Sequence, residues 1–99
     1  MAKWRLTFEI DDGSGGETES EWGRNVLKRL TELDPLPIRA VYEPGGCVKA
    51  VFAVDVQGQI EAVRRQNDID EKLRAALEGL KFEISFENPK LPPNKKKGS

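Results

Sequence analysis

The chain carries few side chains that can perform acid–base or nucleophilic chemistry. Its 99 residues include no histidine and one cysteine, so a general base would have to be a carboxylate, a lysine, a tyrosine or the thiol with a shifted pKa. Cys47 has no histidine to convert it to a thiolate, and no set of nucleophile, base and orienting group can be assembled from the sequence. We therefore expect a protein that is not an enzyme and has no catalytic residue.

A glycine-rich segment, Gly13 to Gly16, lies between a strand-like and a helix-like segment, where phosphate-binding loops are found. Glu17 and Thr18 follow it, whereas a P-loop requires a lysine followed by serine or threonine, and the dinucleotide-binding pattern requires a third glycine at position 18. The neighbouring carboxylates would also repel a phosphate. The segment therefore predicts a flexible connector, and we expect no bound cofactor.

Acidic residues flank this connector at Asp11, Asp12, Glu17, Glu19 and Glu21. Their spacing does not follow the EF-hand pattern, and acids are common in the first turn of a helix because they interact favourably with its dipole. The sequence therefore predicts no metal site. Glu17, Glu19 and Glu21 do give the start of the first helix an acidic surface, which is one candidate for binding a basic site on another protein.

The hydrophobic period changes along the chain in the order two, 3.6, two, two, 3.6 and two, which corresponds to βαββαβ. Strand-like alternation occurs at residues 4–10, 38–43, 48–56 and 82–86, and helical spacing at 18–33 and 59–80. This order predicts a ferredoxin-like α+β fold: a two-layer sandwich with a four-stranded antiparallel sheet and two helices on one face. Right-handed crossovers would place the first and third strands at the centre of the sheet.

The sequence also makes specific predictions about the start of the first helix and the middle of the second. Thr18 and Glu21 fit a capping box at the start of the first helix. In the second helix, polar residues 66–68 interrupt the apolar stripe, so we expect a kink or a break near Asp68. An alternative interpretation makes Gln59 to Arg64 a strand that pairs across Gln57 and Gly58.

The composition predicts one domain over residues 1–87 and a disordered tail over 88–99, which is rich in proline and lysine. Because four of the 16 basic residues lie in that tail, residues 1–87 carry 12 basic and 17 acidic side chains. A single cysteine, the lack of an apolar leader and the lack of an apolar run of about 20 residues favour a cytoplasmic protein without a membrane segment.

The residues with the clearest binding potential are Val41, Val51 and Ala53. Strand alternation places them on the sheet face away from the helices, between charged residues, a composition typical of protein-binding surfaces. We therefore predict a small non-enzymatic binding or regulatory module that binds another protein or forms a homodimer. An accessory protein or a phage-type inhibitor would have this character.

The alternative is a weak binder of single-stranded nucleic acid. The RNA-recognition module shares the predicted architecture, but it stacks bases on aromatic residues of its two central strands, and no aromatic residue is expected on the outer face here. Binding would have to depend on salt-sensitive attraction to phosphates. The residues that would provide it are Lys3, Arg5, Lys49, Lys95, Lys96 and Lys97.

Overall fold

The computed structural model describes residues 2–14, 19–43 and 46–89. Its elements are β1 (Ala2–Asp11), α1 (Ser20–Leu30), β2 (Arg39–Tyr42), β3 (Val48–Val56), α2 (Gln59–Ala76) and β4 (Glu83–Phe86). The predicted order of strands and helices is therefore present. Among the described residues, no helix is long and apolar enough to cross a membrane.

The four strands form one antiparallel sheet in the order β2-β3-β1-β4, with β1 and β3 at its centre. The two central strands pair along almost their whole length, from Ala2 opposite Val56 to Ile10 opposite Val48. Because successive side chains of a strand point to opposite faces, this register places the even-numbered residues of both strands on one face. The chain is thus an α+β protein with two helices and a four-stranded antiparallel sheet.

The even-numbered face of the sheet carries the hydrophobic core. Burial alternates strictly along most of β3, and the rings of Phe8 and Phe52 meet edge to face with their centroids 5.6 Å apart. Both helices add to the same core, with Val26 and Leu30 from α1 and Leu73 from α2 all at most 1% exposed. The helices and this face form an arrangement compatible with a two-layer sandwich, and no described helix contributes to the opposite face.

The second helix is continuous, so the predicted break near Asp68 and the alternative strand at Gln59 to Arg64 are both wrong. Its buried stripe includes Gln66, which is 2% exposed and donates from Nε2 to the carbonyl oxygen of Glu87 at 2.7 Å. Buried polar groups are tolerated when they are hydrogen-bonded. The polar residue that suggests an interruption in the sequence therefore belongs to the packed face of one helix, which ends at Ala76.

Three further predictions concern the start of α1, the glycine-rich connector and the C-terminal tail. The N-cap of α1 is Glu19, whose side chain makes no capping hydrogen bond. Thr18, the rest of the connector at 15–18, and residues 90–99 of the predicted tail lie outside the described residues. Pro89 is described, and it is buried.

Helix α1 packs closely against β2 and against the segment after α2. Gly23 is buried, and a Cβ atom at this position would lie 2.6 Å from Cε1 of Tyr42. Trp22 donates from Nε1 to the carbonyl oxygen of Lys81 at 2.7 Å, and Arg29 donates to that of Ala76 at 2.8 Å. The contact of Arg29 with Ala76 joins the two helices, and the other two attach α1 to β2 and to the segment after α2.

Replacing Gly23 with alanine is expected to destabilise the protein by roughly 1–2 kcal/mol. Overpacking typically costs about 1–3 kcal/mol, and an overlap with three atoms of the Tyr42 ring places the cost in the upper part of that range, above the gain of about 1 kcal/mol in helix propensity. Urea unfolding measures the change. Asn25→Ala, at an exposed position of the same helix, is the control and should be neutral or stabilising. A Gly23→Ala protein as stable as that control would contradict the contact.

Gln66→Leu is expected to lower the free energy of unfolding by about 1 kcal/mol, because leucine retains the packing volume but lacks the donor to the Glu87 carbonyl. The Glu87 amide, which donates to Thr7 at 3.3 Å, should also exchange its hydrogen faster. Urea unfolding and amide exchange measure these effects. The exposed neighbour supplies the control Asn67→Leu, which should leave the Glu87 amide unchanged.

Candidate binding surface on the outer sheet face

The sheet face opposite the core, here called the outer sheet face, carries the odd-numbered side chains of β1 and β3 together with Arg39 and Val41 of β2. Val51 lies in its middle, opposite Arg39 on β2 and Thr7 on β1. Val41 is 37% exposed, and Val51 and Ala53 are half-buried. The structure therefore brings the three candidate apolar residues onto one surface.

A shallow cavity lies over β2 and β3 on this face. Its apolar lining is Val41 and Val51, and its polar lining includes Arg39, Glu43 and Lys49. An apolar centre with a charged rim is the usual composition of a protein-binding surface. The cavity thus offers a small apolar contact area surrounded by groups that would fix the orientation of a partner.

The cations of the alternative nucleic-acid surface have acidic neighbours. Lys3 pairs across the sheet with Asp55, and the Lys49 ammonium lies 4.0 Å from a carboxylate oxygen of Glu9. Both side chains of the second pair are well exposed, so this ion pair contributes little to stability. Arg5 is exposed opposite Ala53. The described part of the face therefore offers no continuous basic track.

Aromatic residues of the central strands lie on the core side. Trp4 and Phe8 of β1 and Phe52 of β3 are even-numbered, and each belongs to the core or packs against it. Base stacking requires aromatic rings exposed on the sheet surface. Within the described strands β1 and β3, the outer sheet face presents no such ring.

Charge on the outer sheet face is divided between its two ends. One end, here called the acidic end, carries Lys49 and four carboxylates: Glu9, Asp11, Glu43 and Glu83. The other end, here called the basic end, carries Lys3, Arg5 and Asp55. The sequence of β1 alone carries part of this division, but the addition of Glu43 and Glu83 depends on how β2 and β4 are aligned with the central strands.

Cys47 lies at the acidic end as a free thiol, with its Sγ 4.0 Å from Oε1 of Glu9. Burial raises the pKa of the Cys47 thiol, and the carboxylates of Glu9 and Glu43 raise it further because they disfavour a second negative charge nearby. A raised pKa lowers the thiolate fraction near neutral pH. The surroundings of Cys47 are therefore the opposite of those that activate a cysteine nucleophile.

The acidic start of α1 is a separate surface from the outer sheet face. Glu19 and Glu21 are exposed and belong to the helix layer, whereas Val51 lies on the other side of the sheet. Glu17, the third acidic candidate, lies outside the described residues. One partner of ordinary size would therefore contact one of these two surfaces rather than a continuous site.

The carboxylate of Asp12 is engaged locally. Its Oδ1 accepts hydrogen bonds from the hydroxyl of Ser14 at 2.7 Å and from the Ser14 amide at 3.0 Å, and these bonds lower the pKa of Asp12. Asp11 likewise accepts from the Gly13 amide at 2.8 Å. Within residues 2–14, 19–43 and 46–89, no three carboxylate, thiol or imidazole groups are grouped to hold a metal ion.

The Cys47 thiol is expected to react several-fold more slowly with iodoacetamide at pH 8 in the folded protein than in urea, because its raised pKa leaves less thiolate. Glu9→Gln should speed the reaction by removing one of the charges that raises this pKa. Glu71→Gln, on the exposed face of α2, is the control and should have no effect. Equal rates in the folded and unfolded protein would contradict the assignment.

The outer sheet face thus combines an apolar centre with two ends of different charge, held by the pairing of β1 with β3. It can exclude water from a small contact area and orient a partner by charge, as protein-binding surfaces do. The chain matches no protein-family model, no curated protein and no solved structure at a significant level.

Proposed function

We propose that this protein is a small non-enzymatic binding or regulatory module that associates with a protein partner through its outer sheet face. We also propose that its two-layer arrangement is ferredoxin-like, which the βαββαβ order and the central position of β1 and β3 support. A cytoplasmic location is part of the proposal and is supported by the free thiol of Cys47.

The observation that carries the proposal is the apolar centre of a sheet face over which no described helix packs. Val41, Val51 and Ala53 lie there between charged neighbours, and a partner that covers them would remove apolar area from water, worth about 25 cal/mol per Å². The surrounding charges would contribute orientation more than affinity. An accessory or inhibitor role, in which binding itself is the function, requires nothing more than such a surface.

A protein partner accounts for this face better than a nucleic acid does. Lys3 and Lys49 each have a carboxylate neighbour, and the acidic end would repel a phosphate backbone. Nucleic-acid binding would therefore depend on Lys95, Lys96 and Lys97, which lie outside the described residues. This second function remains an outcome that experiment can separate from the first.

Val51→Asp is expected to reduce recovery of the native partner at least tenfold when the tagged full chain is purified from its own cells. A carboxylate in the centre of the contact loses its hydration, and a cost above about 1.4 kcal/mol corresponds to a tenfold loss of affinity. Val63→Asp is the control, because it makes the same substitution at a valine that is 37% exposed on α2, away from the outer sheet face. Quantitative mass spectrometry of the co-purified proteins provides the measurement.

Circular dichroism of both variants establishes that each is folded. If Val51→Asp leaves self-association and every co-purified protein unchanged, the proposal is wrong. The nucleic-acid alternative is tested by fluorescence anisotropy with single-stranded oligonucleotides over a range of salt. Steeply salt-dependent binding that is lost in Lys95→Ala/Lys96→Ala/Lys97→Ala would favour that alternative.

A further inference from the structure

The two ends of the outer sheet face carry complementary charges at equal distances from its centre. Along β1, Arg5 and Glu9 each lie two residues from Thr7, and Lys3 and Asp11 each lie four residues from it. At about 3.4 Å per residue these spacings are about 7 and 14 Å on either side of Thr7. Each cation of the basic end thus has a carboxylate of the acidic end as its counterpart.

This spacing is self-complementary under one particular symmetry. In this arrangement the outer sheet faces of two copies meet. A two-fold axis relates the copies; it lies in the interface, runs perpendicular to the strands and passes at the level of Thr7 and Val51. The rotation places Arg5 of each copy opposite Glu9 of the other, and Lys3 opposite Asp11. An axis parallel to the strands would instead place acidic end on acidic end. The charges of β1 therefore favour this orientation, and they do so against Arg39 and Glu87, which lie level with Val51 and Thr7 and each face their own copy across the axis.

We propose that the partner of the outer sheet face is a second copy of this chain, bound face to face across this two-fold axis. The inference rests on the proposed function, since it uses the same surface and names its occupant. Val51 lies on the axis and faces Val51 of the other copy, whereas Ala53 faces Lys49 of the other copy, so the apolar contact is centred on Val51.

The dimensions of the sheet limit the area that such a dimer can bury. Four strands about 4.8 Å apart and a central strand of nine residues give a face of at most about 19 by 30 Å, because β2 and β4 have only four residues each. A stable interface buries about 800 Å² per partner, so a dimer through this face is smaller than a standard interface and belongs with weak, transient ones. The dimer is accordingly reversible and dissociates on dilution.

The experiment is sedimentation velocity of the full chain over a wide concentration range, with charge reversals at one contact. Arg5→Glu and Glu9→Arg should each raise the dimer dissociation constant at least tenfold, because each places like charges opposite one another twice. An equimolar mixture of the two variants should form a heterodimer, because the introduced glutamate faces the introduced arginine and native Glu9 faces native Arg5. The double variant Arg5→Glu/Glu9→Arg should also self-associate.

Arg64→Glu is the control, because it makes the same charge change at an exposed position on α2 and should leave the dissociation constant unchanged. A wild-type chain that is monomeric at every concentration would overturn the dimer. So would a dimer that tolerates both single reversals, or single variants whose mixture does not associate. None of these results contradicts the proposed function if Val51→Asp still abolishes recovery of a partner other than this chain. The experiments can therefore contradict the dimer without contradicting the proposed function.

Discussion

The antiparallel pairing of β1 with β3 is the constraint on which the rest of the structure depends. Their register, with Leu6 opposite Phe52 and Thr7 opposite Val51, assigns every side chain of both strands to one face or the other. A slip of one residue would move the apolar set of a strand to the solvent side. The core, the attachment of both helices and the composition of the outer sheet face all follow from this single alignment.

The same alignment explains why the outer sheet face combines apolar and charged residues. Leu6, Phe8 and Ile10 supply the core with large side chains, and both helices cover that face. The opposite face has no described helix over it, so it requires charged and polar residues to remain compatible with water. Its apolar centre around Val51 is the exception to that requirement, and this exception is the reason for proposing a binding role here rather than in the helix layer.

Much of the fold could be predicted because each element has its own periodicity. Strict alternation in β1 and β3 identifies two strands with one buried face, and their central position follows from the connection rules. The break expected in α2 was wrong for a specific reason. Gln66 is polar but buried, and its partner is the carbonyl of Glu87, 21 residues away. No local pattern distinguishes such a residue from one that faces water.

By itself, the sequence determined the order of the elements, the face on which Val51 and Ala53 lie, and the lack of histidine chemistry, because these depend on residue type and local period. Only the tertiary structure decided which residues become neighbours. The contact of Gly23 with Tyr42 and the position of Glu43 and Glu83 at the acidic end arise from the alignment of separate elements. That alignment is set by long-range packing of the core, which no local pattern encodes.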